Sequence, residues 1–391
     1  MELTREQGRG LALKMFSDYY AGQDAKYFSP QRISQREFGM GDFERKIKFR
    51  HAEFMTSVEL KDYLVKKTPA FVSCSTAYYS HPTFRPMENK GWLGSELVFD
   101  IDATDMHLKC QTAHGTSWVC ENCLAVVRGE AIKLIEEFLI PDFGFSKQEI
   151  SVNFSGNRGY HIHVNKESIL KLDSAARKEI SAYITGSGIS FEDFFTVEGI
   201  GHGKRIKRLA GPKPTEPGWR GRIARSVISD MNKGIEHLIS TGIDPAAAKN
   251  MFKKRALIEM GINNGNWDMV YVRDKTRFWS DVIKSHAIAQ SDRIDENVTN
   301  DTGHMIRLAN TIHGSTGLLS KKADTGALQS FEPMTECVVL AKDQIKVKAN
   351  TKNPLDIGGE TFGPYSGEEA ELPGYAAMYL FLKGFAEIMQ E

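Results

Sequence analysis

Hydrophobic and polar positions follow two periods, and the period changes along the chain. Leu11, Met15 and Tyr19, with Ala12 and Phe16 beside them, recur at helical spacing and predict a helix within the first thirty residues. Arg36-Glu37-Phe38-Gly39 leads into Arg45–Arg50, whose alternation predicts a strand with a basic face. Residues 96–102 alternate as a strand, and Ile132, Ile135 and Leu139 share one helical face before Pro141. Residues 149–164 read as two short strands joined by Ser155-Gly156-Asn157-Arg158-Gly159. Helices with basic, Gly/Pro-rich connections follow from about 166 to 262, including a stripe of Leu172, Ala176, Ile180 and Ile184 that ends near Gly186 and Gly188. Residues 245–260 also read as helical. Mixed strand and loop patterns return from about 290, and Tyr375–Ile388 reads as a closing helix. The pattern predicts an α/β (α+β) core, residues 1–165 and 263–391, interrupted by a mainly helical insert over 166–262.

Composition narrows the class. At 391 residues the chain has room for roughly two domains of ~150 residues, and 41% hydrophobic residues supply a core. Fifty basic residues balance fifty acidic ones, which excludes a histone-like coat of charge but permits local basic stripes. The N-terminus carries charges where a signal peptide would be apolar. The longest apolar run, Tyr375–Leu382, is far short of the ~20 residues that span a bilayer. The five cysteines are too few for a disulfide scaffold of this size, and a reducing cytosol is expected.

Several clusters carry chemistry. On the strand Glu96–Asp102, Asp100 and Asp102 point the same way while Leu97, Phe99 and Ile101 point into the core. Two carboxylates about 7 Å apart along one strand can hold hard cations. Paired Mg²⁺ or Mn²⁺ ions can then stabilise the attacking and leaving oxygens of a phosphoryl transfer. The same pattern also occurs on the solvated face of an edge strand. Cys110, His114, Cys120 and Cys123 form a C-x3-H-x5-C-x2-C arrangement, with four zinc-type ligands in a knuckle at about 105–125. All four positions are filled, so a closed structural site is expected, with His107 as a competitor ligand.

In Ser155–Val164, glycines allow backbone N–H groups close to an anion, and Ser155 and Arg158 can donate to phosphate oxygens. His161 and His163 share a strand face, where either is also compatible with a partly buried structural histidine. Asp295, Arg307 and His313-Gly314-Ser315-Thr316-Gly317 supply a carboxylate, a guanidinium and an imidazole near a turn, although Asp295 also reads as a helix cap and Arg307 as a surface residue. Eight Lys/Arg residues between Lys204 and Arg225 stand against one acid, Glu216, and read either as a phosphate-binding patch with Trp219 free to stack on a base or as a solvated loop.

In this order, these segments resemble the catalytic (small) subunit of archaeal and eukaryotic DNA primases. The resemblance rests on Arg36-Glu37-Phe38, Val98-Phe99-Asp100-Ile101-Asp102, the Cys/His segment, Ser155-Gly156-x-Arg158-Gly159-x-His161, and Ile294-Asp295-x-x-Val298-Thr299 followed by Arg307 and His313-Gly314. It covers the chain from about residue 10 to Leu372-Pro373, and the compact length resembles the archaeal form. It implies a mixed-sheet primase core and a two-metal nucleotidyl transferase. Asp100, Asp102 and Asp295 would bind Mg²⁺ or Mn²⁺, and Cys110, His114, Cys120 and Cys123 would bind structural Zn²⁺. Ser155, Gly156, Arg158, His161, Arg307 and His313 would hold the nucleoside triphosphate. It also implies a single-stranded DNA template, a heterodimer with an iron–sulfur-containing large subunit, and a cytoplasmic, nucleoid-associated location away from any membrane.

Two positions depart from the family pattern. Ser315 stands where many relatives carry Lys, with Lys321 or Lys322 as possible substitutes, and Asn157 stands where Arg is common. Three other functions use subsets of the same residues. A primase-polymerase of the same superfamily acting in repair would share the motifs outside the zinc segment, a two-metal nuclease only the carboxylates, and a non-catalytic zinc-containing nucleic-acid-binding protein only the Cys/His cluster and the basic stretch.

Overall fold

The computed structural model describes residues 2–106, 108–200, 206–269, 274–282 and 295–390. The chain forms two compact units. One is built from Met1–Lys133, Phe145–Lys178 and Ile294–Glu391, the other from Leu134–Gly144 and Glu179–Arg293. Where the sequence reading sets an insert at 166–262, the second unit takes in Leu134–Gly144 from upstream, and its main stretch, Glu179–Arg293, is displaced toward the C-terminus. Physical anchors explain the displacement at both ends of that stretch. Arg177, in the helix Ser174–Thr185, is buried in the larger unit and donates to the carbonyls of Ser95 (2.7 Å) and Glu96 (2.8 Å). Beyond 262, Trp267 and Trp279 pack edge-on at 4.8 Å in the interior of the smaller unit.

The larger unit is mixed α/β. Its first helix, Arg5–Gly22, is capped by Thr4, and Gln7 closes a reciprocal capping box. Gly8, Ala12, Phe16 and Tyr20 form its buried stripe. One antiparallel sheet orders its strands Met305–Arg307, Phe71–Ser75, Phe38–Gly41 and Phe49–Ala52. A second orders Lys322–Ala323, Ile150–Phe154, Gly159–Val164 and Leu97–Asp102. Arg36-Glu37-Phe38 joins the two. Arg36 is buried, pairs with Glu96 and donates to the Ser75 carbonyl at 2.6 Å. Glu37 accepts from Arg50 Nε (3.0 Å) and His51 N (3.1 Å), and Phe38 is fully buried against Phe54. Val98, Val298 and Ile306 fill a small core between the two sheets.

Local chemistry overrides the periodic reading at three places. Residues 45–48 are not strand, because the Asp42 carboxylate accepts from Glu44 N, Arg45 N and Lys48 Nζ and folds the chain back over Gly41; pairing begins at Phe49. Leu172 lies before its helix, which starts at Ser174 with Asp173 accepting from Ala176 N. The closing helix is Gly374–Lys383; Gly384 stops it at φ 81°, and Ala386–Ile388 joins the Gln344–Thr351 strand instead.

The smaller unit is mainly helical, with helices Gly218–Lys233, Ile235–Ser240, Pro245–Lys253 and Arg255–Asn263 and a hairpin of Thr196–Ile200 and Ile206–Ala210. Lys204 and Arg205 lie outside the described residues. Within the described part of the basic stretch, Lys213 and Arg225 are exposed while Trp219 and Arg222 are taken up in the interior. Trp219 is buried and donates its indole N–H to the Tyr183 carbonyl, and Arg222 is buried against Asp142 (2.7 Å) and the Phe138 ring. Arg208 pairs with Glu198.

Candidate active site and metal centre

The second sheet of the larger unit carries most of the site. Directly paired residues on antiparallel strands share a face, so the register Asp100↔His161↔Asn153↔Lys322 sets those four side chains in one row. His161 Nε2 lies 3.7 Å from the Asp100 carboxylate, and its Nδ1 is buried with no protein partner. Asp102 pairs with Arg158 Nε at 2.8 Å and accepts from Thr104 N and Oγ1. Asp295 comes from the opposite end of the chain. Its N–H donates to the Asp100 carbonyl (3.1 Å), and its carboxylate caps the helix Glu296–Asn300. The sequence left open whether Asp295 was a helix cap or a site carboxylate; the fold makes it a cap placed beside Asp100. Burial first, then the nearby Asp102 and Asp295 carboxylates, push the Asp100 carboxyl up to about 7. That mutual repulsion is the condition a bound cation relieves.

The Ser155–Gly159 turn approaches the carboxylates from the side. Ser155 Oγ accepts from Asn157 N and Gly159 N, so the hydroxyl holds the shape of the turn. A side chain at Gly159 would meet the Ile101 carbonyl at 2.5 Å, and one at Gly156, whose φ is 84°, would meet His313 Cβ at 2.7 Å. Thr316 Oγ1 donates to the Gly156 carbonyl (2.6 Å), locking the turn against His313–Gly317. His313 is buried, stands edge-on to Phe71 and accepts from Ser315 N at Nδ1, leaving the proton on Nε2. Burial, with Arg307 second, holds its pKa well below the ordinary value. Burial also keeps His161 neutral.

Arg307 is buried rather than a surface residue. Its guanidinium lies over Phe71 at 4.8 Å and donates to the Val72 carbonyl (3.1 Å). It forms no ion pair among the described residues, and burial lowers its pKa to about 10. An uncompensated buried cation is costly and is a signature of an anion site.

The Cys/His segment folds as expected. His114 ends a one-turn helix, Gln111–His114, and Cys123 is buried in the helix Glu121–Lys133. The ligand atoms of Cys110, His114, Cys120 and Cys123 all lie within 4.8 Å of one another, a set that can hold a metal ion. His114 Nδ1 contacts the Gly115 carbonyl at 2.7 Å, which turns Nε2 toward the thiols. His107 lies outside the described residues. Among the described residues this is the one group that converges so tightly; the three aspartates are closely placed, but Asp102 is turned to Arg158 and Thr104, and Asp295 to Asn297.

The family model for the DNA primase small subunit matches residues 99–324. The DNA primase small subunit of Methanothrix thermoacetophila is 35% identical over 95% of this chain and 97% of its own length. That of Methanosarcina acetivorans is 32% identical over 95% and 94%, and that of Methanococcoides burtonii 31% over 95% and 96%. The chain belongs to the DNA primase small subunit family. It is therefore an enzyme of the archaeal primase type, which makes primers for DNA replication.

Within that family's pattern, the two departures have different surroundings. Ser315 spends its N–H on His313, and Lys321 is paired with Glu336 at 3.0 Å. Lys322 sits three strands from Asp100, roughly 14 Å at about 4.8 Å per strand. Asn157 accepts instead from Lys383 Nζ at 2.9 Å. Lys383 was not singled out in the sequence. It stands 225 positions beyond Arg158, and nothing local marks it. The Arg36–Glu96–His163 network was missed for the same reason, since no spacing links its members. Although burial opposes ionisation, Arg36 and His163 (2.9 Å) hold Glu96 well below the usual carboxylate range. His163 thus serves the interior while His161 faces Asp100. No helix among the described residues is long and apolar enough to cross a membrane.

Proposed function

We propose that this chain extends primers on single-stranded DNA by two-metal nucleotidyl transfer from nucleoside triphosphates. The 3′-hydroxyl of the growing strand attacks the α-phosphorus, a bond to the bridging oxygen breaks, and pyrophosphate leaves. Asp100, Asp102 and Asp295 would hold Mg²⁺ or Mn²⁺, which when bound neutralises charge on the attacking and leaving oxygens. Arg158, His161, Arg307 and His313 bind the polyphosphate, and the Ser155–Gly159 turn, through Ser155 and Gly156, lets backbone donors approach it. Arg158 exchanges Asp102 for phosphate oxygens once cations occupy the carboxylates. Cys110, His114, Cys120 and Cys123 hold structural zinc, as their N/S donor set suits a closed tetrahedral site. The reading includes a large partner subunit and a cytoplasmic, nucleoid-associated location.

Arg307 carries the reading. A buried guanidinium with no ion pair among the described residues, set with two neutral histidines beside clustered carboxylates, suits a polyanion next to its cations. A two-metal nuclease would have no need for that cation. The test is primer extension on single-stranded DNA with Mg²⁺ or Mn²⁺. Asp100→Asn and Asp102→Asn should abolish incorporation while circular dichroism stays unchanged. Near-normal extension by both variants overturns the metal assignment.

A further inference from the structure

The closing helix ends beside the nucleotide turn. Gly374–Lys383 is buried along most of its length, and Met378 and Leu382 pack at Gly317, in the turn that carries His313. Lys383 is its last helical residue before Gly384 reverses the chain. Its ammonium donates to Asn157 Oδ1 (2.9 Å) and to the Ser117 carbonyl (3.2 Å), both uncharged oxygens. It forms no ion pair among the described residues. Arg158, one residue from Asn157, donates to the adjacent Thr116 carbonyl at 3.2 Å. Consecutive carbonyls of the Cys/His segment therefore hold two cations side by side, and Trp118 packs edge-on against Phe385 to fix that segment to the end of the helix. Burial, then the charge of Arg158, lowers the Lys383 pKa to about 8, while Asp102 opposes the shift. Arg158 has Asp102 as its counter-ion at 2.8 Å, whereas Lys383 donates only to neutral oxygens, so the pair carries a positive charge that a further anion would offset.

We propose that Lys383 is a further polyphosphate-binding residue, acting with Arg158 on the incoming nucleotide and held in place by the Thr116–Ser117 backbone of the Cys/His segment. It supplies the cation that Ser315 and Asn157 do not. The inference rests on the proposed nucleotide site. An ammonium on a phosphate oxygen makes a charge-assisted hydrogen bond whose loss weakens binding roughly 10- to 100-fold.

The experiment measures equilibrium binding of a fluorescent nucleoside triphosphate, competition by inorganic tripolyphosphate, and single-stranded DNA binding. It uses the full chain and the variants Lys383→Met, Lys383→Arg and Arg158→Ala. Lys383→Met should weaken nucleotide and tripolyphosphate by the same factor, leave DNA affinity unchanged, and be largely rescued by Lys383→Arg. A structural role alone would not weaken a bare polyphosphate or be rescued by another cation. If Arg158→Ala weakens the nucleotide and Lys383→Met does not, the inference about Lys383 is overturned while the nucleotide site stands. If neither variant changes nucleotide affinity, both are overturned.

Discussion

Replacing Arg307 with Met separates binding from stability. Arg307 is 9% exposed as a residue, and its guanidinium faces no carboxylate among the described residues. A pKa of about 10 in place of 12.5 corresponds to about 3 kcal/mol of lost preference for the charged form. Against this stand the contact over Phe71, worth about 1 kcal/mol, and one hydrogen bond to Val72 O, worth about 1.5 kcal/mol. That carbonyl also accepts from Leu308 N at 3.0 Å, so it is not orphaned when the guanidinium goes. The terms nearly cancel. Arg307→Met should leave unfolding free energy unchanged or raise it by about 1 kcal/mol, unlike the 3–5 kcal/mol lost on breaking a buried ion pair. Nucleotide affinity should fall roughly 10- to 100-fold. Thermal unfolding with and without nucleoside triphosphate and Mn²⁺ reads both effects. The variant should keep its nucleotide-free midpoint and lose most of the nucleotide-induced rise. A midpoint several degrees lower, with nucleotide stabilisation intact, would show that Arg307 serves the fold and would refute the anion-site reasoning.

Glu96→Ala should cost about 3–5 kcal/mol, because it strands the buried Arg36 and leaves Tyr78 Oη and His163 Nδ1 without their acceptor; a denaturation midpoint close to that of the unmodified protein would count against this. Zinc should be found at about one equivalent per chain, and Cys120→Ser should lose it and lower stability before it lowers the rate per folded molecule, as elemental analysis and melting curves would show. Burial keeps His313 neutral with a folded pKa well below 6.5, so its contribution to stability is complete above about 6.5 and lost as pH falls below that value. His313→Gln should accordingly lose less stability than the unmodified protein between pH 7 and pH 5, and equal losses in the two would contradict the shift.

The sequence by itself settled what depends on neighbours along the chain. The Cys/His spacing lies within fourteen residues, two short helices carry it, and the ligand atoms converge without help from distant segments. The alternation at Leu97–Asp102 put Asp100 and Asp102 on one face, and the glycines of Ser155–Gly159 marked a turn whose close contacts tolerate no side chain at 156 or 159. Local competition was harder to see. The Asp42 turn removed a strand that alternation predicts at 45–48, and Gly384 shortened the last helix.

Tertiary structure decided the rest, because charge and burial are properties of surroundings rather than of spacing. Trp219 and Arg222 belong to a stretch that reads either as a phosphate-binding patch or as a solvated loop, and packing closes over both. Arg307 reads on its own as a surface residue and by the resemblance as a phosphate ligand; its strand pairs with Phe71–Ser75 and buries it without a counter-ion among the described residues. Asp295 reaches Asp100 through one backbone hydrogen bond across 195 positions, and Lys383 reaches Asn157 across 226. No local pattern encodes such meetings; they exist only once the sheets have assembled and the last helix has docked.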